Sequence, residues 1–306
     1  MARAIRFDRY GGAEVLYVAD VEVPAPPPGE VLVEVRAAGI NPGEASIRQG
    51  YLDKVYPTTF PSGEGSDLAG VVSKVGDAAD SFQVGDEVMG WTERRASHAD
   101  YVSVPAGQLI RKPEELSWPV AGSLYVIAAT AFAAVRAVNA GQKDTVVVSA
   151  AAGGVGSVVV QLLKVRGCHV IGIASEANHA WLRSVGAVPV AYGEGLADRI
   201  RSAAPSGPDA FIDTFGGGYV QLAIELGIDT DRIDTIASFD AAATFGVKTD
   251  GNAAGASAEI LVDMAGLVAS GQITVPIAAT YPLAEVRAAY GELAKRHTHG
   301  KIVLIP

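Results

Sequence analysis

The chain has 306 residues, 49% of them hydrophobic, and is long enough to form two globular domains with separate cores. Its 34 acidic residues outnumber its 24 basic residues, which gives a formal net charge of −10. Because no run of basic residues is present to hold a phosphate backbone, the composition argues against nucleic acid as a partner.

The only cysteine, Cys168, excludes an internal disulfide and any cysteine-based zinc cluster, as is typical of a reducing cytoplasm. Charged residues fall within the first eight positions, where a targeting signal would have an apolar stretch. Two charge-poor stretches, 116–135 and 145–165, are interrupted by Pro or Gly, so we interpret them as core segments and not membrane spans. We therefore expect a cytoplasmic protein with no membrane partner.

Residues 1–120 are rich in strand and turn patterns. Polar and apolar residues alternate at 4–7 and 30–36, on either side of a proline-rich break. Further short strands are predicted between glycines, at 67–76 and 84–90. This pattern predicts a compact, twisted, barrel-like β domain.

Residues 121–256 alternate between strand and helix patterns. The predicted strands are 145–150, 169–174, 189–192, 210–214 and 232–238. Strand, helix and strand at this spacing predict an α/β domain with a doubly wound parallel sheet.

The segment 145–163 combines a strand, a turn of small residues and a helix. Three valines suit a strand that is covered on both faces, and apolar residues then follow one helical stripe. Ala150 stands where the strict G-x-G-x-x-G fingerprint has its first glycine. Free N–H groups at such a helix start bind phosphate, although glycines there also serve sharp strand-to-helix packing. We predict that a dinucleotide diphosphate binds at Ala152, Gly153, Gly154, Val155 and Gly156.

The tip of the second predicted strand carries Ala174 and Ser175 where NAD-binding proteins have an acid. A carboxylate there would bind the ribose hydroxyls of NAD and repel the 2′-phosphate of NADP. Ser175 and Asn178 could donate hydrogen bonds to that phosphate, whereas Glu176 could be the missing acid in a displaced position. The pattern favours NADP(H) over NAD(H).

Residues 257–306 contain two helices with apolar stripes and a final strand at 301–305, which has no partner nearby in sequence. We interpret this segment as returning to complete the first domain. The domain at 121–256 would then be inserted between 1–120 and 257–306.

Six motifs occur along the chain in a characteristic order. They are Ala37-Ala38-Gly39-Ile40-Asn41-Pro42, Gly65-Ser66-Asp67-Leu68-Ala69-Gly70-Val71-Val72, Val84-Gly85-Asp86-Glu87-Val88, Gly153-Gly154-Val155-Gly156, Asp213-Thr214-Phe215-Gly216-Gly217 and Gly300-Lys301-Ile302-Val303-Leu304. With them the chain resembles the medium-chain dehydrogenase/reductase superfamily, in its zinc-independent quinone oxidoreductase, or ζ-crystallin-like, branch. The resemblance implies a Rossmann domain inserted into a GroES-like β-barrel-type catalytic domain. It also implies hydride transfer from NADPH to a quinone or an α,β-unsaturated carbonyl (enone).

Zinc alcohol dehydrogenases belong to the same superfamily, and a catalytic zinc needs three protein ligands. Asn41 stands where those enzymes have their first cysteine ligand, and Gly63-Glu64-Gly65 lies near the expected histidine. The lobe with four cysteines is missing. We therefore predict no zinc.

The resemblance implies three catalytic residues, each with an alternative. Asn41 contacts the nicotinamide or substrate, or only caps the loop before Pro42. Tyr51 donates a hydrogen bond or proton to the nascent oxyanion, or is an exposed loop aromatic. Tyr125 replaces the usual proline and either narrows the pocket or adds a donor.

For the coenzyme, the resemblance adds Thr130 near the nicotinamide ribose, Tyr192 beside the adenosine, and Phe215 and Ser238 after later strands. Lys301 reaches a phosphate or is a surface lysine.

Three other readings stay open. The first is an alcohol dehydrogenase-like enzyme, the second a biosynthetic tailoring reductase or dehydratase on the same scaffold, and the third a non-catalytic, crystallin-like nucleotide-binding protein. By analogy with relatives we also expect a homodimer, with an edge supplied by 232–238 and the following 239–247.

Overall fold

The computed structural model describes all 306 residues, which form two compact units. The first unit consists of 1–126, 257–269 and 277–306, and the second of 127–256 and 270–276. The transition thus follows residue 126, where the sequence suggested 120, and the short segment 270–276 joins the second unit. No helix has both the length and the apolar character needed to cross a membrane.

The first part of the first unit is mainly antiparallel sheet. Its elements are β1 (Ala2–Phe7), β2 (Tyr17–Val21), β3 (Glu30–Gly39), α1 (Pro42–Arg48), β4 (Ser62–Gly63), β5 (Asp67–Val75), β6 (Glu87–Trp91), β7 (Tyr101–Pro105), β8 (Leu109–Arg111) and α2 (Trp118–Ala121). A small sheet has the order β2-β1-β4, while β3, β5, β6 and β8 are neighbours in a larger one, with β7 also paired to β3. Alternate residues of β3, such as Val31, Val33 and Val35, enter one core cluster, as the alternating pattern predicts.

The second unit is built on a parallel sheet. Its elements are α3 (Leu124–Ala137), which begins in the first unit, β9 (Thr145–Val148), α4 (Gly154–Val165), β10 (His169–Ala174), α5 (His179–Ser184), β11 (Val188–Ala191), α6 (Leu196–Ala203), β12 (Ala210–Asp213), α7 (Tyr219–Glu225), β13 (Ile233–Thr235) and α8 (Phe239–Phe245). The strand order is β11-β10-β9-β12-β13 and every pairing is parallel. The predicted doubly wound sheet is confirmed, and its five strands lie within two residues of the predicted starts.

The edge beyond β13 differs from the expectation. Residues 239–247 were expected to extend a sheet edge, but Phe239–Phe245 is helix α8, which ends at Gly246 with φ +73°. Three consecutive alanines at 241–243 favour helix over strand, which explains the difference. The sheet therefore ends at the three residues of β13 and a single bridge between Asp234 and Lys248.

The last segment contains α9 (Ala258–Ala269), β14 (Ile277–Pro282), α10 (Val286–Ala294) and β15 (Lys301–Ile305). Strand β15 pairs parallel with β14 and antiparallel with β3, where Val303 lies opposite Gly39. The prediction that the final strand returns to the first domain is confirmed. This pairing brings Lys301 close to the residues that follow β3.

Candidate functional site

Asn41 lies between the end of β3 and the start of α1. Its backbone is extended, with φ −133° and ψ 145°, and Pro42 occupies the first helical position. The Asn41 backbone N–H donates to Glu44 Oε2 at 2.9 Å, so the first turn of the helix holds the loop in place. Glu44 therefore holds the loop that carries Asn41.

The side-chain amide of Asn41 is fully hydrogen-bonded within the first unit. Its Nδ2 donates to Glu44 Oε1 at 3.1 Å and to Asp67 Oδ2 at 3.0 Å, and its Oδ1 accepts from Lys301 Nζ at 2.6 Å. An asparagine amide has two donor hydrogens, and both are used here. A hydrogen bond donated by this amide to a coenzyme or acceptor would require the exchange of an existing bond.

Lys301 is buried, with 3% of its surface exposed. Its ammonium donates to Ile40 O at 2.9 Å and lies 3.4 Å from Asp67 Oδ2, besides its bond to Asn41. The interpretations of Lys301 as a phosphate ligand or a surface lysine are therefore both wrong. Sequence reasoning missed the interaction because 260 residues separate Lys301 from Asn41 and only the β15–β3 pairing brings them together.

A second buried ion pair lies next to the pair of Lys301 and Asp67. Arg48 and Glu64 are hydrogen-bonded, and the Arg48 guanidinium lies 4.3 Å from the centre of the Tyr290 ring. The Tyr290 hydroxyl donates to Glu44 Oε2 at 2.8 Å, which connects the two pairs. We call these seven residues the buried polar cluster: Asn41, Glu44, Arg48, Glu64, Asp67, Tyr290 and Lys301.

The buried polar cluster contains three carboxyl groups and two cations. Burial, opposed by Arg48 and reinforced by the charge of Glu44, raises the pKa of Glu64 to about 8. Burial also raises the pKa of Asp67, against the attraction of Lys301. The cluster thus has one acid more than it has cations, and burial raises the pKa of two of its three acids.

The residues of the cluster do not suit a catalytic zinc. No group of three or more His, Cys, Asp and Glu side chains in the chain is placed to hold a metal ion. The oxygens of Asn41, Glu44 and Asp67 instead accept hydrogen bonds from the chain's own donors, among them the Lys301 ammonium. Thiolate or imidazole ligands, which zinc prefers, are missing from this set.

The two predicted catalytic tyrosines have different surroundings. Tyr125 is 3% exposed and stacks on Trp91, with ring centres 4.1 Å apart and ring planes at 3°. Trp91 lies opposite Asp67 in the β5–β6 pairing, and Val126 N donates to Asp67 Oδ1 at 2.8 Å. Tyr125 is therefore next to the buried polar cluster, whereas Tyr51 is 78% exposed on the loop after α1.

In the second unit, the predicted phosphate turn follows β9. Ala150 has φ +42°, and its carbonyl accepts from Gly153 N at 2.8 Å. Helix α4 has Gly153 at its N-cap and no capping side chain, so the N–H groups of its first turn have no partner within the helix. A Cβ on Gly156 would lie 2.2 Å from Ala150 O, so glycine is required here for packing as well.

The other predicted coenzyme residues follow the carboxyl ends of the remaining strands, except Thr130, which is a buried residue of α3. After β10, Asn178 Nδ2 donates to Ser175 Oγ at 3.1 Å, and Glu176 is exposed. Tyr192 follows β11 and is 50% exposed. The structure thus brings donors and an aromatic ring to the edge where open parallel sheets bind ligands.

Phe215 and Ser238 both donate hydrogen bonds to Asp213, a residue to which the sequence pattern assigned no function. The Phe215 backbone N–H donates to Asp213 Oδ1 at 3.0 Å, and Ser238 Oγ donates to Asp213 Oδ2 at 3.3 Å. Asp213 itself is fully buried. The sequence signal was its position at the end of a predicted strand, directly before a glycine-rich loop.

Comparison with known families assigns both parts of the chain to a class of two-domain dehydrogenases. Residues 27–114 match the alcohol dehydrogenase GroES-like domain, and residues 122–304 match the zinc-binding dehydrogenase family. A quinone oxidoreductase structure from Coxiella burnetii covers 100% of the chain with a TM-score of 0.90 and 29% identity. The Escherichia coli quinone oxidoreductase complexed with NADPH also covers 100%, with a TM-score of 0.87 and 25% identity.

Sequence relatives agree with this class. A chloroplast envelope quinone oxidoreductase homolog from Arabidopsis thaliana is 28% identical over 100% of this chain and 99% of its own length. A chloroplastic quinone-oxidoreductase homolog from Spinacia oleracea is 31% identical over 61% of this chain, and the match spans 60% of that relative's length. The chain belongs to the medium-chain dehydrogenase/reductase superfamily, in its quinone oxidoreductase branch.

Proposed function

We propose that the protein is an NADPH-dependent oxidoreductase that transfers a hydride to a quinone or enone without a metal. The observation that carries the proposal is the turn between β9 and α4. It presents the N–H groups of Gly154, Val155 and Gly156, which have no partner within the helix, at the positive end of a helix that has no side-chain cap. That arrangement suits the diphosphate of a dinucleotide.

NADPH supplies the hydride when it is bound, and the protein's part is to bind and orient it. Ser175 and Asn178 offer side-chain donors after β10, where an acid would repel a 2′-phosphate. Structures of the E. coli enzyme and of a mycobacterial relative in complex with NADPH support the same coenzyme.

The proposed acceptor class follows from the donor set in the first unit. Because the cluster around Asn41 holds the ammonium of Lys301 and has no zinc ligand set, the acceptor must already be electrophilic, as a quinone or enone is. Its reduction places negative charge on an oxygen, which hydrogen-bond donors stabilise. We assign this role to Tyr51 or Tyr125, whose phenols are the candidate donors.

Steady-state kinetics test the proposal. Oxidation of NADPH and NADH is measured with 1,4-benzoquinone, 9,10-phenanthrenequinone and a simple enone, before and after treatment with a chelator. We expect turnover with NADPH, a kcat/KM at least tenfold lower with NADH, and no change after chelation. Chelator-sensitive oxidation of an alcohol, or a clear preference for NADH, would contradict the proposal.

A further inference from the structure

Asp213, the last residue of β12, is a fully buried carboxylate whose five partners are all neutral donors. Burying a carboxylate is costly unless hydrogen bonds compensate for the lost water. Here the compensation comes from residues at the end of β13 or directly after β9, β12 and β13. One side chain therefore connects the carboxyl ends of three neighbouring strands.

The two oxygens of Asp213 serve different parts of the sheet edge. Oδ1 accepts from Ser149 Oγ at 2.7 Å, from Phe215 N at 3.0 Å and from Gly216 N at 2.9 Å. Oδ2 accepts from Thr235 Oγ1 at 2.8 Å and from Ser238 Oγ at 3.3 Å. Oδ1 thus faces the phosphate turn and the glycine loop, and Oδ2 faces the end of β13.

Ser149 connects Asp213 to the phosphate turn through hydrogen bonds. Its hydroxyl also accepts from Thr214 N at 2.9 Å, and its carbonyl accepts from Thr214 Oγ1 at 2.7 Å. The next residue is Ala150, whose carbonyl holds Gly153 N and leaves no room for a side chain on Gly156. The start of α4 is therefore positioned against a carbonyl that Ser149, and through it Asp213, holds in place.

We propose that Asp213 is a positioning residue for the coenzyme, which fixes the phosphate turn through Ser149 and the Phe215–Gly216 loop through their backbone N–H groups. The inference rests on the proposed function, since the ligand is the diphosphate of that coenzyme. The proposed effect of Asp213 is to hold the turn in place. Its charge cannot be the favourable contribution, because a negative carboxylate near a diphosphate weakens binding. Coenzyme binding should depend on the hydrogen bonds to Oδ1, which hold the phosphate turn and the Phe215–Gly216 loop, and not on the hydrogen bonds to Oδ2.

Two buried hydroxyls on the same carboxylate provide the test. Ser149→Ala removes the hydroxyl on the Oδ1 side, and Thr235→Val removes the one on the Oδ2 side. Both residues are fully buried, and the Thr235 hydroxyl also accepts from Ala237 N and Ser238 N. Because Thr235→Val loses more hydrogen bonds, a purely structural role for Asp213 predicts the larger effect in that variant.

The probe is 2′-phospho-ADP-ribose, which keeps the diphosphate of NADPH and lacks the nicotinamide, so that contacts to the nicotinamide do not enter the comparison. We measure its dissociation constant by calorimetry and the unfolding midpoint in urea. We expect Ser149→Ala to raise the dissociation constant at least tenfold and Thr235→Val to change it by less than threefold, even though Thr235→Val has the lower midpoint. Equal changes in both variants, or none in Ser149→Ala, would overturn the proposal.

Two further measurements separate the possible failures. If wild-type protein binds neither NADPH nor the probe, the proposed function fails before the positioning role is tested. Asp213→Asn keeps the shape of the side chain, removes its charge and replaces one oxygen with an NH2 group. If its remaining oxygen keeps the Oδ1 contacts, the NH2 group faces the hydroxyls of Thr235 and Ser238, and we expect the dissociation constant for the probe to stay within threefold of wild type. Tenfold tighter binding would show that Asp213 acts by charge repulsion, against the proposal.

Discussion

The Lys301 ammonium shows how one residue can organise a buried site. Its three oxygen partners, Ile40 O, Asn41 Oδ1 and Asp67 Oδ2, compensate for the loss of water around the charge. Such an arrangement is stable only when every partner is present, because a lone buried charge is costly. It also determines the orientation of the Asn41 amide, since an oxygen that accepts from Lys301 leaves Nδ2 to face the two carboxylates.

Removal of the Lys301 charge tests this account. We expect Lys301→Met to reduce the free energy of unfolding by about 3–5 kcal/mol, because Asp67 is left buried without its cation. The double variant Asp67→Asn/Lys301→Met removes both charges and should recover most of that loss. Urea unfolding measures both. A Lys301→Met protein as stable as wild type would show that the ammonium contributes nothing there.

Ala150 carries a backbone strain that glycine would relieve. Its φ of +42° lies in the left-handed region, which costs a non-glycine residue about 1–2 kcal/mol. Glycine would relieve this strain, but it also increases the chain entropy of the unfolded state, which reduces the gain in stability by about 0.4–1 kcal/mol.

We therefore expect Ala150→Gly to be slightly more stable than wild type, by about 0.5 kcal/mol. The control is Ala152→Gly, at a buried position in the same turn whose φ is not positive, and it should lose stability. Thermal unfolding compares the two variants. The expectation is contradicted if Ala150→Gly melts below wild type.

At the scale of elements, the sequence predicted what depends on local periodicity. The three valines of β9 and the glycines that follow it identify a buried strand, a turn and a helix without knowledge of the rest of the chain. Features that depend on distant pairing could not be predicted, and the contact of Lys301 with Asn41 is the clearest example. The helix at Phe239–Phe245 was missed because the edge was expected by analogy with relatives and not from its own residues, of which the three alanines at 241–243 favour helix.

The edge strand β13 makes stability depend on pH through Asp234. Burial, together with the charge of the nearby Asp250, raises the pKa of Asp234 to about 7, although Asp250 N donates to its Oδ1. The folded protein thus keeps a proton that the unfolded chain releases at lower pH. Stability from this residue is complete below about pH 4 and is lost as the pH rises to about 7, by an amount on the order of 4 kcal/mol.

Asp234→Asn removes this titration. The difference in unfolding free energy between the variant and wild type should move in favour of the variant as the pH rises from 4 to 8. Urea unfolding at several pH values provides the measurement, with Asp240→Asn, at an exposed position of α8, as a control that retains Asp234 and with it the pH dependence that we assign to this residue. A difference that stays constant with pH would contradict the assignment.

At the scale of the molecule, the return of the last segment completes the first unit. Without β15, neither β14 nor the Asn41 loop would have its partner, so residues 301–305 are essential to a site that begins at residue 41. The lack of a nearby partner for the final predicted strand suggested this closure, but not the buried ion pair of Lys301 with Asp67 that results from it.

The oligomeric state is a separate proposal. From the resemblance to dimeric relatives we propose a homodimer, which should sediment with twice the mass of the 31.5 kDa chain. Sedimentation velocity over a range of concentrations measures this. A single species at the mass of one chain would contradict it.

The central claim is that the N–H groups at the start of α4 hold the diphosphate of a nicotinamide coenzyme. Isothermal titration calorimetry of the wild-type protein with NADPH and with NADH tests it most directly. The account predicts saturable binding of one NADPH per chain, tighter than that of NADH. Purified, folded protein that produces no binding heat with either coenzyme, and shows no protection against thermal unfolding by either, would contradict it.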